Sequence, residues 1–132
     1  MKRTLYTLVV ATLCFTAIGL AEDDLETWMK AAGAGTGAIK KSLDAKNNGD
    51  AAQAALKLEG VFEKVEKFCT GKSEDAAKFA ASAKSAAKEI AAAAQAGNSD
   101  AASAAFGKLG PSCKGCHEAH REKVDGGFRF KP

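Results

Sequence analysis

Cys113-Lys114-Gly115-Cys116-His117, set near the end of an alanine-rich chain of 132 residues, decides how the rest of the sequence is read. C-x-x-C-H is the pattern that attaches c-type haem. On a helix, two thiols three positions apart share a face, so both can form thioethers to the vinyl groups of one porphyrin. His117, directly after the second anchor, is then held beside the iron, and its imidazole suits iron ligation. Three other readings compete. A redox dithiol prefers a βαβ setting, and no segment here alternates with a two-residue period. Structural zinc wants four ligands, and the nearest fourth, His120, crowds the same short stretch. A Cys113–Cys116 disulfide would close a very small loop in an oxidising compartment. The expected cofactor is one covalent haem c.

The start of the chain points to export. Met1-Lys2-Arg3 forms a positive opening, Leu5 to Leu20 is an uncharged apolar run, and Gly19-Leu20-Ala21 offers small residues for cleavage before Glu22. Residues 1–21 therefore read as a signal peptide, and residues 22–132 as one modest domain. A retained membrane anchor is the competing reading, but about 16 residues is short for a bilayer span. Cys14 would leave with the signal. A periplasmic location follows if the cell is Gram-negative, and the export signal agrees with a haem attached outside the cytoplasm.

Removing Lys2 and Arg3 leaves 17 basic and 16 acidic side chains, before two haem propionates lower the charge further. That balance gives no electrostatic case for nucleic acid. With few aromatic residues and much alanine, the core is thin without the bulk of a porphyrin.

Apolar periodicity predicts four helices. Leu25, Met29, Ala32, Thr36, Ile39 and Leu43 form one inward stripe over about residues 24–46. Glycines 33, 35 and 37 on that helix suggest close backbone approach, to haem or to another helix. Asn47-Asn48-Gly49 ends the segment, and Asp50 with Gln53 resembles a capping box for a second helix whose stripe is Leu58, Val61, Phe62, Val65 and Phe68. Gly71 stops it. Ser73 caps a third helix that turns Phe79, Ala83, Ala86, Ile90 and Ala93 inward and ends at Gly97. Ser99 or Asp100 caps the fourth, which runs through the C-x-x-C-H motif to about Val124, and residues 125–132 form an irregular tail. Helices of this length with short connections fold back on one another, so the expected fold is all-α: an antiparallel up-down-up-down four-helix bundle with covalently bound haem. An alanine-rich coiled coil is the alternative, but the stripes are too short for many heptads.

The chain resembles the class II c-type cytochromes, which comprise cytochrome c prime and its low-spin relatives of the cytochrome c-556 type. Phe106-Gly107-Lys108-Leu109-Gly110, the late C-x-x-C-H motif, Arg121 four positions beyond His117 and Trp28-Met29-Lys30 on the first helix carry the resemblance. Class I cytochromes c, by contrast, carry the motif near the start of the chain.

The resemblance implies roles for particular residues. Cys113 and Cys116 correspond to the thioether anchors, His117 to the proximal axial ligand and Arg121 to a positive side chain near the haem. His120 reads as a partly exposed helix-end residue, since His117 is already committed. Met29, the sole methionine after residue 21, matches the distal position. If its thioether ligates, the site is six-coordinate and low-spin, suited to electron transfer with redox partner proteins. If Met29 is core filler, the iron is five-coordinate and binds nitric oxide or carbon monoxide, as cytochrome c prime does. Trp28, Met29 and Ala32 supply no distal acid or base, so a carrier is expected and not an enzyme. The family also implies pairing of two copies through the first two helices, with no membrane partner once the signal is gone.

Several features depart from the family pattern. Leu25 stands where many members place an Arg near a propionate, and Pro111 interrupts the fourth helix before the anchors. Cys69 is a third cysteine after residue 21, read as a buried apolar residue or as a thiol for an intermolecular disulfide. Phe128-Arg129-Phe130 either folds over the bundle end or meets a partner.

Overall fold

The computed structural model describes residues 22–132, so the expected signal peptide at residues 1–21 lies outside them. In chain order the elements are α1 (Glu22–Asp44), α2 (Asn48–Cys69), α3 (Glu74–Gln95), α4 (Ser99–Phe106), α5 (Leu109–His120), β1 (Arg121–Val124) and β2 (Gly127–Phe130). The helices form a bundle in which α2 packs most extensively on α3, α1 packs mainly on α2, and α4 and α5 pack on α3. Among the described residues, no helix is long and apolar enough to cross a membrane.

The core is made of small side chains on one wall and large ones on the other. Seven of the eight buried residues of α3 are alanines, with Ile90 the exception. Alanine is the best helix former and brings backbones close, but each methyl removes little apolar surface from water. Leu58, Phe62, Val65 and Phe68 of α2 supply the missing bulk. On α1 the inward stripe holds, with Ala32, Ile39 and Leu43 buried and Leu25 and Met29 half-buried against them. Of its three glycines, only Gly35 meets another helix, where a Cβ would lie 3.4 Å from Leu58 Cδ1. Nothing lies within 4 Å beside Gly33 or Gly37.

Two of the expected caps lie elsewhere. Asn47 starts α2, its side chain accepting from the Asp50 amide at 3.0 Å, and Asn98 starts α4 by accepting from the Ala101 amide at 3.0 Å. In each case a left-handed residue, Lys46 at φ 54 or Gly97 at φ 73, ends the preceding helix immediately before the asparagine. Asn47 N–H bonds Ser42 O at 2.8 Å and Lys46 N–H bonds Leu43 O at 3.0 Å, which satisfies the last carbonyls of α1. The reversal therefore finishes at the asparagine, earlier than Asp50 and than Ser99 or Asp100, the residues suggested as caps. Ser73 caps α3 as expected, at 3.3 Å from the Ala76 amide.

The fourth helical segment is two helices, not one. Pro111 has no N–H for the carbonyl four residues back, and its ring crowds that carbonyl, which belongs to Gly107. The break falls there: α4 ends at Phe106 and α5 begins at Leu109. The second half also stops sooner than expected, at His120 instead of Val124. Arg121 is extended at φ −110 and ψ 121, and β1 pairs antiparallel with β2, Arg121 opposite Phe130 and Val124 opposite Gly127. The tail expected to be irregular is thus half of a hairpin, turned at Asp125-Gly126 with Gly126 at φ 85.

That hairpin folds against the bundle end. Phe130 meets Phe68 edge to face at 5.4 Å between ring centroids and stacks on His120 at 5.9 Å. Trp28 of α1 meets the other side of Phe68 at 6.5 Å, and Phe79 of α3 meets His120 at 6.4 Å. One aromatic series thereby joins α1, α2, β2, α5 and α3.

Candidate functional site

Helix α5 carries Cys113, Cys116 and His117 at spacings of three and four, so all three belong to one side of the helix. Both cysteines are half-buried and packed against the core edge. Neither is in a disulfide. Burial pushes the Cys113 thiol up, and pushes Cys116 up to about 11, with Cys69, Cys113 and Asp75 adding to the effect on Cys116. These thiols are protonated at neutral pH. His117 is half-buried, and burial first, then the Arg121 guanidinium, holds its imidazole below the usual histidine value. The ring is therefore neutral at pH 7 and keeps the lone pair that a metal needs.

Gly115 fixes the motif to the bundle. A Cβ there would lie 2.5 Å from Cε1 and 2.9 Å from Cζ of Phe79. Only glycine leaves room for the Phe79 ring where it stands, so the ring seats against the helix backbone between Cys113 and Cys116. Among the described residues, no three His, Cys, Asp or Glu side chains converge as a metal cage. The three donors are instead spread along one turn, as two attachment points and one axial ligand need to be. Donor chemistry and the close-packed backbone both fit a haem held by Cys113, Cys116 and His117.

Arg121 lies next to this group, at the start of β1, with its guanidinium 4.2 Å above the centre of the Phe128 ring. Together with Lys114, Glu118 and Lys123, these two residues and His117 line one open depression. Met29 comes from α1, whose main neighbour is α2, whereas α5 packs on α3. The structure thus brings Cys113, Cys116, His117 and Arg121 together, and places Met29 half-buried on a helix that is not the main neighbour of α5.

One residue sits differently from expectation, and one open alternative is decided. His120 is buried, at 8 % exposure, with Nε2 3.1 Å from Asp75 Oδ2 and Nδ1 2.9 Å from the Lys131 carbonyl oxygen. A helix-end histidine becomes an interior one because the hairpin closes over it, and Lys131 N–H bonds the His120 carbonyl at 2.7 Å. Cys69 is buried at 1 % exposure, which agrees with its reading as a buried apolar residue and leaves it inaccessible to an intermolecular disulfide, and burial raises its thiol. The Phe79–Gly115 contact and the stacking of Arg121 on Phe128 were not singled out from sequence. The first was hinted at by Phe79 in the α3 stripe.

A helix bundle whose last helix presents two thiols and a neutral imidazole in this order has the make-up of a haem protein of the cytochrome type. The family model described as Cytochrome C' matches residues 71–121, consistent with a class II cytochrome c. That family implies a haem cofactor. The match runs from the α2–α3 turn to the first residue of β1, leaving α1 with Met29 and most of the hairpin outside it. No curated protein and no solved structure matches the chain.

Proposed function

We propose that this protein is an exported, periplasmic monohaem c-type cytochrome that transfers electrons and is not an enzyme. The helices form an antiparallel up-down-up-down bundle, Cys113 and Cys116 are the thioether anchors, His117 is the proximal ligand and Met29 the distal one. When bound, haem supplies a one-electron couple at its iron. The chain's own residues hold that group and set its surroundings. Cys113 and Cys116 fix its orientation, His117 offers a neutral nitrogen, Arg121 places positive charge beside the imidazole, and the alanine-lined bundle excludes water. The observation that carries the reading is the turn of α5 with both thiols and His117 on one side, locked at Gly115 against Phe79. Pairing of two copies through α1 and α2 is supported by an open groove lined by Ala31, Ala34, Gly35, Ala38 and Ala54.

The test is mass spectrometry of material exported in the presence of haem-attachment machinery. One haem added to the polypeptide from Glu22 onward supports the assignment, and a mass with no addition ends it. Optical spectra then divide the two ligation states. A low-spin spectrum unmoved by carbon monoxide supports Met29. A high-spin one that shifts with the gas supports an open distal position, the state that follows if Met29 only packs in the apolar stripe of α1.

A further inference from the structure

The positive charge of this protein is unevenly placed. Residues 114–131 hold five basic and three acidic side chains, whereas residues 22–113 hold 12 basic and 13 acidic. Within the C-terminal stretch, Glu122 pairs with Arg129 at 2.9 Å and Glu118 reaches Lys114 at 3.8 Å. Arg121, Lys123 and Lys131 have no ion pair among the described residues.

Hairpin register gathers part of this charge on one face. Residues directly opposite in an antiparallel pair point the same way, so Arg121 and Phe130, and Lys123 and Phe128, share a face of the sheet. Phe130 turns into the bundle, while Phe128 stays 56 % exposed beneath the Arg121 guanidinium. The depression beside Phe128 is lined by His117 itself. Whatever His117 ligates is therefore bonded to a residue of this surface. An exposed aromatic ring with an arginine stacked on it is the pairing that protein interfaces favour, and the lysines beside it supply a polar rim whose charge steers an anionic partner. Anionic membranes are bound by clusters of about 4–8 Lys and Arg, more than the unpaired charge here.

We infer that the surface formed by Lys114, Arg121, Lys123 and Phe128 around His117 is the place where electrons are exchanged, and that it docks a redox partner presenting carboxylates. The inference rests on the electron-transfer reading above and names the partner's chemistry. In the exchange one electron passes from the reduced protein to the acceptor, and no bond is made or broken.

The holoprotein tests this with two charged reagents as acceptors, followed by stopped flow. Ferricyanide stands in for an anionic partner and tris(phenanthroline)cobalt(III) for a cationic one. Lys123→Glu should slow ferricyanide about tenfold at ~10 mM ionic strength and speed the cationic reagent, and both effects should vanish at ~0.5 M salt. Lys123→Gln should give a smaller change in the same direction. Lys41→Glu makes the same change of charge roughly 20 Å along α1 from Trp28, and should alter either rate less than about twofold. Equal effects of Lys123→Glu and Lys41→Glu would overturn the assignment. So would co-sedimentation of the holoprotein with phosphatidylglycerol-containing vesicles that Lys123→Glu abolishes, because the surface would then belong to a membrane. A holoprotein with no reversible one-electron couple overturns both this inference and the function on which it rests. A normal couple with no site-dependent charge effect overturns the surface alone.

Discussion

Phe79 of α3 occupies the space that any side chain at position 115 would need: a Cβ on Gly115 would meet its Cε1 at 2.5 Å. The middle of the C-x-x-C-H motif is thereby tied to a helix 36 residues earlier in the chain. Gly115→Ala should destabilise the protein by about 1–3 kcal/mol through overpacking and lower the yield of haem-loaded material. Phe79→Leu added to it should restore part of the loss, because it clears the ring from the site. Thermal unfolding of the two single variants and the double variant measures the coupling, and purely additive losses would disprove the contact's importance.

His120 closes the hairpin onto the bundle. Both of its ring nitrogens face acceptors, the Asp75 carboxylate and the Lys131 carbonyl, so a doubly protonated ring donates to both and a singly protonated ring to one. His120→Leu should cost about 1–3 kcal/mol and free the hairpin. Faster hydrogen exchange at the Lys131 amide, which bonds the His120 carbonyl, is the expected sign. Unchanged exchange would show that Phe130 alone secures the strand.

Lys46 performs at the end of α1 the task that Gly97 performs at the end of α3. A side chain at φ 54 is strained, and glycine is not. Lys46→Gly should raise stability by roughly 0.5–1 kcal/mol, the gain being reduced by the greater freedom of the unfolded chain. A lower melting temperature would contradict this.

Glu26, Glu63 and Glu74 each accept from a lysine four residues later, at 2.7, 3.0 and 2.9 Å. The hydrogen bond first, and the lysine charge second, hold these carboxyls below their ordinary value of 4.5. Because the folded values are the lower ones, this stabilisation is complete above the ordinary value and is lost as pH falls through the folded values. Helicity followed by circular dichroism should decline below about pH 4.5, less steeply at high salt because all three pairs are exposed. A profile indifferent to salt would rule the pairs out as its cause.

Met29→Ala should leave fold and haem attachment in place, since the side chain is only half-buried. If Met29 ligates, the variant becomes high-spin and its reduction potential drops. Identical optical bands in the two proteins would remove Met29 from the ligand set.

Long-range consequences of the sequence were legible where periodicity speaks. Ile39, Leu58, Phe62, Val65 and Ile90 were expected inside and are buried. Ser73 and Gly97 were read correctly because a cap and a left-handed stop are local signals. Asn47 and Asn98 were passed over for Asp50 and for Ser99 or Asp100, although the residue after a left-handed stop is the one placed to cap. The hairpin was also marked locally, by Asp125-Gly126 between Arg121–Val124 and Gly127–Phe130, a strong short-range turn signal. Extending the helix through Val124 hid it. His120 could not have been placed from its neighbours, because its partners are Asp75, 45 residues away, and the backbone of Lys131 beyond the turn.

At the seam between α2 and α3 the α3 side is mostly methyls, which have no rotamer to change, so the large α2 side chains pack against a wall of fixed shape. The two elements that carry the candidate ligands hang on opposite members of that pair. These are α1, which bears Met29, and α5, which bears His117. The span between Met29 and His117 is thus set through four helices in series, and that distance would decide whether a sulfur reaches a metal held by His117.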